Sequence, residues 1–207
     1  MTKIAVIAHS LAGSALSLAD AVAEGAAKAA DTNEVRLLRV PDIRSDEELA
    51  QDPRIGSLFT ERVASHPVAT NDDLAWADAV ILGSGTRFGG MSASMRKFLE
   101  DAAGLWVTGA LQGKVGAAFS AASTPHGGME RTVHDLLTAM MHFGMLIVSP
   151  GYADPVQYRA SSPYGSVAQA GGPSGLMPTE DDLEAARFLG ALVSRTAARL
   201  APADPVV

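Results

Sequence analysis

Short apolar runs, often β-branched, alternate along the chain with longer stretches in which apolar residues recur at helical spacing. Runs of this length, bounded by Gly, Pro or Asp, predict β-strands. They lie at residues 3–8, 35–40, 79–84, 115–121 and 145–150. The helical pattern covers residues 14–30, 91–103, 128–143 and 179–200. The last of these stretches opens on Thr179 followed by Asp182, which is a capping-box pattern.

Alternation of strands and helices is typical of βαβ units, and it predicts a parallel sheet with helices on both faces. Five strands favour an α/β fold of the flavodoxin-like kind, with strand order 2-1-3-4-5. We expect a single domain over residues 1–207, because the sequence contains neither an internal repeat nor a linker. Ligands of such sheets bind at the carboxyl ends of the strands, where the strand order reverses. The loops after strands one, three and four should therefore surround one site.

Two segments are longer than ordinary connections. Residues 42–71 contain SDEELAQD, which predicts a short helix, and then a mixed polar sequence. Residues 152–178 are rich in Ser, Gly and Pro. Loops of this length within one domain are usually functional or interfacial. A disordered surface insert remains the alternative for each segment.

Composition narrows the functional class. The chain carries a net charge of -7 and has no cysteine. The missing thiols exclude disulfides, thiolate metal sites and cysteine nucleophiles. The acidic balance, with no basic stripe, argues against a nucleic-acid partner. The first residues lack the features of a signal peptide, and no apolar run has the length of a membrane span. We therefore expect a cytoplasmic protein that does not insert into membranes.

The loop after the first strand reads HSLAGSALS, over residues 9–17, and leads into a predicted helix. It offers hydroxyl groups and a glycine but neither lysine nor arginine. The free N–H groups of a helix N-terminus bind a phosphate without the help of a cation. The loop lacks the Walker A pattern. A serine-rich helix cap is the alternative interpretation.

The loop after the third strand reads GSGTRFGG, over residues 83–90. Its glycines allow the backbone to approach a planar ring closely, and Arg87 and Phe88 are placed to flank that ring. Gly83, Gly85 and Gly89 give the spacing G-x-G-x-x-x-G, which differs from the dinucleotide-binding fingerprint. Glycines are also common in tight strand-to-helix turns, so this loop alone is a weak signal.

The loop after the fourth strand reads SAASTPHGGME, over residues 120–130, and presents His126 before two glycines. No HExxH motif, carboxylate cluster or second ligand accompanies this histidine, so the sequence predicts no metal site. The G-x-S-x-G elbow of a serine hydrolase is also absent. Trp106, just past the third predicted helix, either packs in the core or lines the mouth of a pocket.

Taken together, these loops resemble the WrbA family of flavodoxin-like NAD(P)H:quinone oxidoreductases. The resemblance covers essentially the whole chain and is strongest from Gly83 onward. The segments that carry it are GTRFGGM, MRKFLE, GLWVTGALQGKVGAAF, HGGME, HFGMLIV, SPYG, AGG (170–172) and PTEDDLEAARFLG.

The resemblance implies that the protein binds FMN noncovalently and takes electrons from NADH or NADPH. It further implies a two-electron, ping-pong reduction of quinones and a homotetrameric assembly. Position by position, it assigns the FMN phosphate to Ser10, Gly13, Ser14, Ala15 and Ser17. It assigns the edge of the isoalloxazine to Thr86, Arg87, Phe88 and Gly89. It assigns ribityl and ring contacts to Ser120, Ala121, Ala122, Ser123, Thr124 and Pro125. His126 and Trp106 would line the flavin face where nicotinamide and quinone stack.

The chain departs from the family pattern at Ala12, Ser17, Gly85 and Pro125, where the family usually has tyrosine, threonine, proline and glutamine. A lost aromatic ring and a looser turn would weaken flavin binding or change ring packing. Three alternatives therefore stay open: a one-electron carrier, a non-enzymatic regulatory module, and another flavin chemistry such as azo or nitro reduction.

Overall fold

The computed structural model describes residues 1–171 and 175–200. Gly172 of the AGG segment, and residues 201–207 of the predicted domain, lie outside the described residues. The strands are β1 Lys3–His9, β2 Glu34–Arg39, β3 Ala79–Gly85, β4 Val115–Ala122, β5 Leu146–Ile147 and β6 Ser166–Gln169. The helices are α1 Ser14–Lys28, α2 Asp46–Gln51, α3 Gly56–Arg62, α4 Asn71–Trp76, α5 Ala93–Asp101, α6 Ala103–Val107, α7 Met129–His142 and α8 Glu180–Arg199, with a 3-10 helix at Pro155–Tyr158.

The strands form one parallel sheet in the order β2-β1-β3-β4-β5, as the sequence predicts. A sixth strand was not expected. The predicted fifth strand at residues 145–150 is reduced to Leu146–Ile147, and β6 pairs with the far half of β4. The fifth position of the sheet is thus filled by two pieces, because the chain leaves the sheet after β5 and returns before β6. Gly165 permits the return, since any side chain there would overlap the carbonyl oxygen of Ala118.

The core lies on both faces of the sheet, which explains why the strands have almost continuous apolar runs. In β1, Ile4, Val6 and Ala8 pack on the face covered by α1 and α8. Ala5 and Ile7 pack on the opposite face, against α4, α5 and α7. The ends of the strands are therefore held rigidly, and the loops that follow them start from fixed positions.

The segment at residues 42–71 is folded rather than disordered. The predicted short helix is α2, and its N-terminus has a capping box in which the Ser45 side chain accepts from the Glu48 N–H. Two further short helices, α3 and α4, follow it. Leu49 and Phe59 are buried in the same core cluster as α1 and α8. Tertiary packing of these two side chains fixes the segment against the body of the domain.

Within the described residues, the segment at 152–178 is also folded and contains the 3-10 helix and β6. Asp154 caps the 3-10 helix, since its carboxylate accepts from the N–H of Val156. Val156 is buried. The capping box predicted before the last helix is confirmed, because the Asp182 N–H donates to Thr179 Oγ1 and the Thr179 N–H donates to the Asp182 carboxylate. Within the described ranges, no helix combines the length and apolar character needed to cross a membrane.

Candidate functional site

A cleft of about 520 Å³ opens at the carboxyl ends of β1, β3 and β4. The loops that follow these strands all reach it, as the strand order predicts. The predicted site residues that line it are Ser10, Ser14, Thr86, Arg87, Phe88, Ala121, Ala122, Ser123 and Thr124. The predicted residues outside this lining are Gly13, Ala15, Ser17, Gly89, Ser120, Pro125, His126 and Trp106.

The first loop is held in shape by its own hydrogen bonds. The N–H of Gly13 donates to Ser10 Oγ at 3.0 Å, and Ser17 Oγ donates back to the Gly13 carbonyl at 3.2 Å. Gly13 has φ 90°, and a side chain there would also collide with the stem of Arg62. The Ser17 hydroxyl is thus engaged within the helix, whereas Ser14 borders the cleft.

The start of α1 carries N–H groups without acceptors inside the helix, as every helix N-terminus does. Within the described residues, no side chain caps α1. The first turn is also free of acidic residues that would repel an anion. This end of the cleft therefore combines free N–H groups with the hydroxyls of Ser10 and Ser14, which suits a phosphate.

The loop after β3 is a tight turn with an unusual tip. Arg87 and Gly90 exchange backbone hydrogen bonds of 2.8 and 3.0 Å. Phe88, at the tip, has φ 50° and a fully exposed ring. A bulky residue in the left-handed region is costly, and a fully exposed phenyl ring gains no stabilisation from burial. The combination favours a functional reason for this side chain, such as contact with a ligand.

A network of buried hydroxyls connects the loops after β3 and β4. The N–H of Thr86 donates to the carbonyl of Ala121, and Thr86 Oγ1 lies 3.2 Å from Ser120 Oγ. Thr132 Oγ1 lies 3.1 Å from Thr86 Oγ1, and Ser120 Oγ donates to the carbonyl of Ser84 at 2.8 Å. Ser120 is completely buried, so it positions Thr86 from behind the cleft.

One wall of the cleft comes from a part of the chain that the sequence did not assign to the site. Arg54, Ile55 and Leu58 reach it from the connection between α2 and α3 and from α3 itself. The only signal in the sequence was the length of the 42–71 segment. Ala12, where the family usually has tyrosine, borders the same cleft. The other unpredicted lining residues are Leu11, Gly85, Gly127, Ala170, Gly171 and Gly175.

His126 and Trp106 are both exposed. His126 lies between Thr124 and Gly127, which line the cleft. Trp106 belongs to α6 and is 59% exposed. The isolated chain therefore does not bring these two side chains into the cleft. Among residues 1–171 and 175–200, no group of three His, Asp or Glu side chains is arranged to hold a metal ion.

Comparison with known proteins identifies the family. Residues 2–156 match the family model described as NADPH-dependent FMN reductase. The chain belongs to this family. Two relatives named NAD(P)H dehydrogenase (quinone) are similar along their whole length. The protein from Bradyrhizobium sp. (strain ORS 278) is 40% identical over 97% of this chain and 99% of its own. The protein from Geotalea daltonii is 42% identical over 96% of this chain and 98% of its own.

Solved structures agree with this family membership. A flavodoxin, WrbA-like protein from Agrobacterium tumefaciens superposes with a TM-score of 0.68 at 26% identity, covering 96% of this chain and 99% of its own. Oxidised flavodoxin 1 from Bacillus cereus superposes with a TM-score of 0.61 at 17% identity, covering 97% of this chain and 100% of its own, and supports the fold alone. The flavodoxin-like fold and the resemblance to the WrbA family are both confirmed.

Proposed function

We propose that this protein is an FMN-dependent NAD(P)H:quinone oxidoreductase that reduces quinones by two electrons. NAD(P)H and quinone use the same open site in turn, which makes the reaction ping-pong. The family match and the relatives named NAD(P)H dehydrogenase (quinone) support the activity. The observation that carries the proposal is the cleft at the ends of β1, β3 and β4, where the three loops meet.

The residues present fit FMN. The cleft volume of about 520 Å³ falls within the range of cofactor sites. Gly13 has φ 90° and packs against the stem of Arg62, so a glycine is needed for the shape of the first loop. The uncapped N-terminus of α1 supplies partial positive charge at the same end. Bound FMN would supply the two-electron redox chemistry, and the protein would supply position and electrostatics.

The proposal gives each of the three loops a role. Ser10, Gly13, Ser14, Ala15 and Ser17 form the phosphate loop, in which Ser14 offers a hydroxyl and Ser17 keeps the turn closed. Thr86, Arg87, Phe88 and Gly89 form the ring-binding turn. Ala121, Ala122, Ser123 and Thr124 form the opposite wall, and Ser120 holds Thr86 in place from behind it. No side chain in this scheme needs to act as a general base.

We further propose that the working form is a homotetramer. His126 and Trp106 are assigned to the face where nicotinamide and quinone stack, yet both are exposed and outside the cleft of a single chain. A neighbouring copy would bring such side chains over the open face and would cover their apolar surface. We assign part of these contacts to the long segments 42–71 and 152–178.

The test is reconstitution with FMN followed by an absorbance spectrum and NAD(P)H oxidation with and without benzoquinone. We expect flavin uptake and NAD(P)H oxidation that depends on the quinone. A protein that takes up no FMN would favour the non-enzymatic module. Photoreduction tests the one-electron carrier: direct two-electron reduction supports the reductase, whereas a stable one-electron state supports a carrier.

A further inference from the structure

Arg54 places a cation at a cleft whose phosphate loop has none of its own. It lies in the connection between α2 and α3 and lines the cleft together with Ser10, Ala12 and Ser14. We propose that Arg54 binds a phosphomonoester of the nucleotide ligand, so that the site prefers the ligand that carries this phosphate over the counterpart that lacks it. This inference rests on the proposed function, because it takes the ligands to be FMN and NAD(P)H.

Asp52 positions Arg54. The backbone N–H and Nε of Arg54 donate to Asp52 Oδ1 at 2.9 and 3.2 Å, and Nη2 donates to Oδ2 at 3.0 Å. The Asp52 side chain is 9% exposed, whereas that of Arg54 is 82% exposed. An ion pair with so exposed a partner contributes little stability. The guanidinium is therefore held at the cleft but can turn toward a ligand at small cost.

Asp52 would not be left unpaired by that movement. It also accepts a hydrogen bond from Arg44 Nη1 at 3.2 Å and keeps the backbone N–H of Arg54. Its pKa is lowered to about 2, with the hydrogen bonds from the Arg54 side chain and backbone as the largest causes. Asp52 is thus a carboxylate near neutral pH, and Arg44 continues to balance its charge.

Further side-chain contacts connect Asp52, the partner of Arg54, to the end of β1, where the phosphate loop begins. Arg44 Nε donates to Asp42 Oδ1 at 3.1 Å, and Asp42 Oδ2 lies 2.9 Å from His9 Nε2. His9 is the last residue of β1, and the next residue, Ser10, lines the cleft. This series of side chains fixes the connection between α2 and α3 relative to the loop. Arg54 therefore occupies a defined place in the site despite its exposure.

The chemistry of Arg54 within this cleft favours a phosphomonoester. The hydroxyls of the phosphate loop and the free N–H groups of α1 already favour an anion in the same cleft. A guanidinium adds two parallel N–H donors and a permanent charge, which match a terminal phosphate better than a neutral ribose or a ring. Arg87, the other arginine that lines the cleft, donates to the carbonyl of Thr86 at 2.9 Å and belongs to the ring-binding turn. The ligand group is either the 5′-phosphate of FMN or the 2′-phosphate of NADPH.

The experiment compares Arg54→Gln with the matched control Arg159→Gln. Arg159 is an exposed arginine paired with Asp181 and Glu184, and it is not among the residues that line the cleft. Dissociation constants for FMN and riboflavin are measured on the apo-protein by quenching of flavin fluorescence. KM values for NADPH and NADH are measured on the FMN-loaded protein. Thermal unfolding confirms that each variant is folded.

We expect Arg54→Gln to weaken binding of one phosphorylated ligand by about 10-fold, the lower end for a hydrogen bond between charged groups. Weaker FMN binding with unchanged riboflavin binding identifies the FMN phosphate. A higher KM for NADPH, with NADH and FMN unchanged, identifies the 2′-phosphate. Arg54→Lys keeps the positive charge but loses the two parallel N–H donors of the guanidinium. This variant should weaken binding of the same ligand by less than Arg54→Gln does.

The inference is overturned if Arg54→Gln and Arg159→Gln give the same FMN-to-riboflavin and NADPH-to-NADH ratios. A wrong proposed function would give a different result, which measurements on the wild-type protein reveal before any variant is compared. In that case the wild-type protein would bind neither flavin or would not oxidise NAD(P)H once loaded.

Discussion

His9 Nε2 lies 2.9 Å from Asp42 Oδ2, and the two side chains are only 4% and 10% exposed. Asp42 also accepts hydrogen bonds from Ser94 Oγ and from the backbone and side chain of Arg44. Burial alone would raise the pKa of Asp42, but the hydrogen bonds from His9, Arg44 and Ser94 outweigh it and hold the pKa well below its usual range. A carboxylate therefore lies beneath the first loop of the site.

This arrangement predicts a pH-dependent contribution to stability. Because the pKa of Asp42 is lower in the folded state, its contribution is present above the unfolded value of about 4 and is lost as the pH falls through the folded value. Asp42→Asn should lower the free energy of unfolding by about 2 kcal/mol near neutral pH. Urea unfolding at neutral and acidic pH measures the difference.

The penalty of Asp42→Asn should shrink as the pH falls below about 4. Asp101→Asn is the control, since Asp101 is an exposed partner of Lys97 and its pair contributes little. An Asp42→Asn penalty that stays constant across the acidic range would contradict a charged Asp42.

The sequence predicts those strands and helices whose own hydrophobic pattern identifies them. The runs that became β1, β3 and β4 are buried almost throughout, so their composition alone identifies them, whereas β2, at the edge of the sheet, is mostly half-buried. The strand β6 has only four residues, SVAQ, and becomes a strand because the chain returns beside β4. The helix α3 opens without a side-chain cap and depends on burial of Phe59. Such elements are defined by tertiary packing, and local pattern does not reveal them.

The candidate site also contains some residues that the sequence predicts and others that depend on tertiary packing. The loops after β1, β3 and β4 were predicted because topology places the ends of parallel strands together. Arg54 was not predicted, because its position follows from the burial of Leu49 and Phe59 and from the Asp52 contacts. The direction of a hydroxyl is also beyond a sequence, and Ser17 donates into its own helix rather than bordering the cleft.

Substitution of Phe88 by glycine should affect stability and FMN binding in opposite directions. The Phe88 φ of 50° is unfavourable for the isolated chain, and its fully exposed ring adds no stabilising burial. Phe88→Gly should leave the free energy of unfolding of the apo-protein unchanged or raise it by up to about 1 kcal/mol. FMN binding should weaken several-fold, because the phenyl ring proposed to contact the isoalloxazine is lost. Urea unfolding and flavin fluorescence measure the two effects.

Phe88→Ala is the matched control for that prediction. Alanine removes the ring but keeps a Cβ in the left-handed region, so flavin affinity should fall without any gain in stability. If Phe88→Gly left FMN affinity at the wild-type value, the ring would have no part in binding the flavin.

Trp106→Ala and His126→Ala should lower quinone-dependent turnover more than they change FMN affinity. Both side chains are exposed and lie outside the cleft of the single chain. The proposed function places them over the face used by nicotinamide and quinone, away from the phosphate loop. Steady-state kinetics and FMN titration separate the effects. Wild-type turnover in both variants would remove these residues from the site.

The contact between α1 and α8 depends on two glycines. A side chain at Gly25 would overlap the carbonyl oxygen of Arg187, and one at Gly190 would overlap that of Val22. Both obstacles are backbone atoms, so the helices must separate to admit a methyl group. Gly190→Ala should therefore lower the free energy of unfolding by about 2 to 3 kcal/mol, although alanine is the better helix former.

Gly104→Ala, in α6, tests the same substitution where a Cβ would meet nothing within 4 Å. Here the higher helix propensity of alanine acts alone, and the free energy of unfolding should stay constant or rise by up to about 1 kcal/mol. Urea unfolding of both variants gives the comparison. Since α1 starts at the phosphate loop, Gly190→Ala should also weaken FMN binding, whereas Gly104→Ala should not. Equal stability of the two variants would mean that the helices have room to separate at no cost.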